Sequence, residues 1–132
     1  MRIINGKPPN FHRIREAFPL ASRPGTIFTY GNTVYVIGQD DISPALKAHE
    51  AVHIQQQQAI GRDIWWDRYI ADPVFRLAQE LPAHRAEYRM IRGMERDRNR
   101  ASQALHAIAE RLAGPLYGGL INKTEARMRI AA

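Results

Sequence analysis

Between Ser43 and Gly61 the chain carries a helix whose start and stop are both marked and whose inward stripe is not apolar. Ser43 offers a hydroxyl N-cap, and Pro44 suits the first helical position, where no N–H is needed. Gly61 suits a helix end, so the pattern predicts a helix from Pro44 to about Ala59. Leu46, His49, Val52, His53 and Gln56 share one broad stripe of it. Two imidazoles therefore stand where a core helix carries leucines, and buried imidazoles need partners. His49 and His53 are four residues apart, so a turn of about 100° per residue presents both to a single ion. Glu50 is badly placed to chelate with them and well placed to take a proton from a bound water. The bland alternative is a helix with two ordinary histidines and a solvated glutamate. The marked helix start favours the ion.

The chain contains no cysteine. Disulfides, thiolate zinc sites and cysteine nucleophiles are thus excluded, and any metal site must be built from His, Asp and Glu. A reducing compartment is expected. At 132 residues the whole chain, 1–132, is expected to form one domain. No apolar run approaches the roughly 20 residues that cross a bilayer. The stretch Met1–Asn10 lacks the apolar centre of a secretory signal, so a cytoplasmic protein is expected. The formal charge of +6 points to nucleic acid or another anionic surface. However, the arginines from Arg85 to Arg111 alternate with Glu87, Glu95, Asp97 and Glu110, the pattern of a solvated face with local ion pairs. No run of aromatic stacking platforms accompanies them. Nucleic acid is therefore the weaker expectation, and the oligomeric state is open.

Taken in order, Asn10 can cap a short helix from Phe11 to Phe18, stopped by Pro19, and Ser22–Gly25 reads as a turn. Residues 26–30 and 33–37 are two β-rich runs around Gly31-Asn32, which suits a type II′ hairpin. After the His-bearing helix, Asp63 can cap a helix through Trp65, Trp66 and Tyr69 that breaks near Asp72-Pro73. Both tryptophans are expected in the core. Pro82 is tolerated only near a helix start or kink, so the helical stretch from Val74 should break near Glu80, loosen at Gly93, and be followed by a long helix from Glu95 to Ala113. Gly114-Pro115 ends it, residues 116–120 form a turn, and Thr124 starts a last helix to Ile130. The fold class is α+β, mostly α.

A catalytic zinc needs a third protein ligand. Candidates are Asp63, Asp67, Asp72, Glu80, His84 and Glu87. Glu80, His84 and Glu87 stand at i, i+4 and i+7, on one helical face if Pro82 leaves the helix intact. Spacing alone does not separate Glu80 from Glu87. The histidine motif together with Glu80-Leu81-Pro82-Ala83-His84 resembles the gluzincin metallopeptidases, especially minimal single-domain forms among phage and bacterial proteins. In that clan the ligand glutamate is followed by a small residue at the third place and a polar one at the fourth, as Ala83 and His84 are here. The resemblance spans about half the chain, Thr26–Tyr88, and implies a hairpin and His-bearing helix packed against a glutamate helix and a long C-terminal one.

The resemblance further implies Zn²⁺ held by His49, His53 and Glu80, with Glu50 as general base in peptide hydrolysis. It places a peptide or protein substrate along the strand Thr33–Ile37, and a host cytoplasm or virion if the protein is phage-encoded. His84 departs from the clan's usual Asp as the partner that orients a ligand histidine. The second donor to the oxyanion is open among Tyr117, His84 and His106. Two other classes compete: a non-catalytic zinc protein of a phage particle, and a basic nucleic-acid-associated helical protein.

Overall fold

The computed structural model describes residues Met1–Ala132, and its architecture is mostly helical α+β. Three short strands, β1 (Arg2–Asn5), β2 (Ile27–Tyr30) and β3 (Thr33–Val36), form one sheet. Six helices accompany it: α1 (Phe11–Ala17), α2 (Pro44–Ile60), α3 (Arg62–Ala71), α4 (Pro73–Met94), α5 (Arg98–Leu112) and α6 (Lys123–Ala131). No helix is long and apolar enough to cross a membrane.

The hairpin forms as its sequence predicts. Gly31 takes φ +65° and no non-glycine residue has positive φ, the combination a type II′ turn requires of Gly-Asn. The sheet differs in one respect that bears on function. β1 pairs parallel with β3, with Arg2 opposite Thr33, so the order is β1-β3-β2 and β3 lies in the middle. The strand expected to offer an edge to a peptide is therefore paired on both sides. The edge strand beside the helices is β2, and its Thr29 carbonyl accepts from Gln57 and Trp66. Four residues, Arg2-Ile3-Ile4-Asn5, give no readable alternation, and their hydrogen bonds come from a strand about thirty positions away.

Several boundaries move for local reasons. Asn10 makes no side-chain cap, and α1 gives way at Phe18 to a 3₁₀ turn, Pro19–Ser22. Gly61, not Asp63, occupies the N-cap of α3. Asp72 caps α4 by accepting from the N–H of Val74 and Phe75. Asp97 does the same for α5, which starts at Arg98 rather than Glu95, and Asn122 rather than Thr124 caps α6. The largest correction is that α4 runs unbroken through Pro82 for 22 residues. Pro82 removes one helical hydrogen bond, yet Glu80, His84 and Glu87 are all held on the buried face around it. Gln56 Nε2 also donates 3.0 Å to the Gln79 carbonyl beside the gap.

Two apolar clusters flank the α2–α4 contact. Phe11, Ile14, Phe18, Phe28, Trp65, Trp66, Tyr69 and Phe75 form an aromatic core beneath the sheet, so both tryptophans are buried as expected. Leu81, Tyr88, Leu105, Ile108, Leu112 and Ile130 join α4, α5 and α6. Between them, α2 buries His49, Glu50, His53 and Gln57, while its Ile54 joins Val34, Val36 and Ile42 in a smaller third cluster against the sheet. The stripe that carries the histidines is thus polar, with Leu46 and Val52 only half-buried.

Candidate metal centre

The cluster forms where α2 crosses α4. His49 and His53, one turn apart, turn their Nε2 atoms toward Glu80 Oε1, at 3.4 Å and 3.2 Å. One ligand atom from each residue lies within 4.8 Å of the other two, a spacing that fits a common ion. All three residues are buried. Such a His-His-Glu group can hold a metal ion.

Each donor is fixed from behind. His49 Nδ1–H donates 2.9 Å to Glu87, which also accepts from Arg111. His53 Nδ1–H donates 2.9 Å to Gln56 Oε1. Both Nε2 lone pairs are thereby free to face the same point. Tyr69 donates its phenol O–H 2.5 Å to Glu80 Oε2, leaving Oε1 on the histidine side. The residue that orients His49 is thus Glu87, seven positions after Glu80, and not His84. The choice that spacing left open resolves into two jobs: Glu80 faces both Nε2 atoms, and Glu87 sits on the far nitrogen of His49.

His84 plays another part. Completely buried, it donates Nδ1–H 2.7 Å to the Glu80 carbonyl and leaves Nε2 without a partner. Burial and the neighbouring His49 push its pKa down to about 3, so it is neutral. His106 is half-exposed, 3.8 Å from Glu110, and lines neither the cavity nor the groove at the centre. Asp63 pairs with Arg62, Asp67 with Arg13, and Asp72 is spent on a helix cap, so none is a ligand.

The electrostatics match a cation. For His49 burial disfavours the charged form, but hydrogen bonds to Glu80 and Glu87 outweigh it and hold its pKa at about 10. His53 is raised against the same burial by Glu80. Glu80 is also opposed by burial, yet His53 and His49 hold it well below the usual carboxylate range. Counted formally, Glu50, Glu80 and Glu87 against Arg111 leave two uncompensated negative charges in a buried site. Two imidazolium protons can offset them. So can one divalent cation, with both imidazoles neutral.

Glu50 stands beside the cluster, with Oε1 4.0 Å from His49 Nε2 and Oε2 accepting 2.7 Å from Thr29 Oγ1 on β2. Gln57 anchors that strand by donating 2.8 Å to the Thr29 carbonyl and accepting 2.8 Å from Gly31 N–H. Nothing in the helical stripe singles out Gln57 for this latch. Arg76 was also missed. Its buried guanidinium donates to the carbonyls of Tyr69, Ile70 and Tyr117, tying the end of α3 to the Pro115–Tyr117 turn. The Tyr117 ring then packs edge-on against His84. An arginine inside an otherwise apolar helix stripe was the only signal.

A small cavity of about 40 Å³, room for about a water molecule, adjoins His53, Glu50 and Glu80 under the aromatic core. On the other side a groove of about 390 Å³ opens to solvent between residues 23–27 and the 114–117 turn, with His49, Glu50 and Tyr117 in its lining. No protein-family model, curated protein sequence or solved structure matches the chain.

Proposed function

We propose that this chain is a zinc-dependent hydrolase of peptide bonds, of the gluzincin kind. One observation carries the reading. Two Nε2 atoms and one carboxylate oxygen converge, each braced from behind, with a further glutamate beside them and an open groove in front. A nitrogen–oxygen set of two imidazoles and one carboxylate suits zinc among the common divalent ions. Zinc bound there would supply a Lewis acid and a water acidic near neutral pH. His49, His53 and Glu80 hold it. Glu50, fixed by Thr29, accepts the proton of the attacking water through Oε1 and returns it to the leaving amine. Tyr117, on the groove wall, donates to the developing oxyanion. Its phenol is kept protonated by burial and by the negative Glu80. Ile27, on the edge strand β2 and in both the cavity and the groove, can pair its backbone with an extended peptide.

Glu50→Gln tests this directly. The variant is expected to keep stoichiometric zinc and to lose peptide cleavage by at least about a hundredfold. Unchanged proteolysis by the variant removes Glu50 as the base. A second reading is favoured by the near-complete burial of the three ligands: an ion that only clamps α2 to α4. It stands if zinc-loaded wild type raises Tm yet cleaves neither casein nor a peptide library.

A further inference from the structure

At the end of the molecule formed by the C-terminus of α4, the start of α5 and α6, the arginines behave differently from the solvated, ion-paired face that their sequence suggests. Arg92, Arg96, Arg98 and Arg127 are all exposed and line one concavity of about 550 Å³. None of them makes a salt bridge. Of the interleaved acids, Glu87 faces His49 and Asp97 caps α5, while Glu95 is the one carboxylate in the hollow's lining and accepts from the Asp97 N–H. Arg127 is held in place by donating 3.0 Å to Ser102 Oγ on α5. Residues 85–132 contain ten basic and five acidic side chains, a net +5 of the chain's +6. Tyr88 and Leu105 form a buried floor, so no aromatic face is offered for a base to stack on.

We infer that this concavity is a cradle for the phosphate backbone of a nucleic-acid duplex, independent of the metal centre. Four arginines without a salt bridge in one hollow focus a positive potential there, which attracts anions. All four are arginines, in a chain with sixteen arginines and three lysines. The guanidinium fork matches phosphate bidentately. The missing stacking platform argues against single strands and against base readout, leaving contact to a duplex backbone without sequence preference. Arg92 lies twelve residues beyond Glu80 on α4, about 18 Å along the axis. The cradle and the groove can therefore be occupied together.

The test is fluorescence anisotropy of the full chain with fluorescein-labelled DNA duplexes of two unrelated sequences, titrated over a range of salt. Four phosphate contacts predict equal affinity for both sequences and a loss of about 150-fold between about 50 and 200 mM salt. The fourfold variant R92Q/R96Q/R98Q/R127Q should lose nearly all of that salt dependence with unchanged circular dichroism. The lysine set R92K/R96K/R98K/R127K should keep most of it. Removing four cations that do not line the hollow (R2Q/K7Q/R15Q/K47Q) should leave the slope nearly intact. Equal slopes in the two glutamine variants overturn the inference. So does absence of duplex binding, or binding confined to phosphatidylserine vesicles.

Discussion

Removing the metal should reverse the pH dependence of this protein's stability. Without an ion, His49 is held between Glu80 and Glu87 with its pKa raised from 6.5 to about 10. A proton bound more tightly in the folded state stabilises it fully below 6.5, and that stabilisation is lost as pH climbs toward 10. From pH 6.5 to about 9 the loss is about 3 kcal/mol at 1.36 kcal/mol per unit, or roughly 10 °C in Tm for a chain of this size. His53, raised by the same carboxylate, acts in the same direction. With zinc bound, the sign is opposite. The ion displaces those protons, so its affinity rises up to about tenfold per pH unit for each proton released. The assay is differential scanning fluorimetry from pH 6.5 to about 9, with EDTA and with excess zinc. The EDTA curve should fall, the zinc curve should hold or rise, and His49→Asn should flatten both. An EDTA curve that is level or rises, or one that falls equally in His49→Asn, refutes the account of how these charges balance.

Other perturbations probe the supports of the centre. Glu87→Gln keeps an acceptor for His49 Nδ1 but removes the charge, and should weaken zinc about 10- to 100-fold by competition with a chromophoric chelator. Gln57→Ala severs both bonds from α2 to the hairpin and should cost about 1–3 kcal/mol in urea unfolding, with faster amide exchange across β2 and β3. Pro82→Ala restores a donor to an unbroken helix at an exposed position and should raise stability by about 1–3 kcal/mol, leaving zinc affinity unchanged.

What could be read without coordinates was what the chain decides locally. Ser43, Pro44 and Gly61 mark α2 through interactions spanning four residues or fewer, and the helical repeat alone sets His49 and His53 on one face. Gly31-Asn32 likewise specifies its own turn. Pro82 misled for the complementary reason. Its local cost is real, but local propensity cannot weigh it against the side chains buried around that point of α4.

The sequence by itself determined the residue types, the two imidazoles on one helix face, the adjacent carboxylate, the hairpin and the mostly helical α+β class. Only the tertiary structure decided that Glu80 faces those imidazoles while Glu87 stands behind one of them, that β1 takes away the edge of β3, and that the arginines near the end of α4 gather unpaired in one hollow. Those outcomes depend on which helices pack together and at what offset. Helix packing is set by burial summed over the whole chain, and no short window of sequence carries that sum.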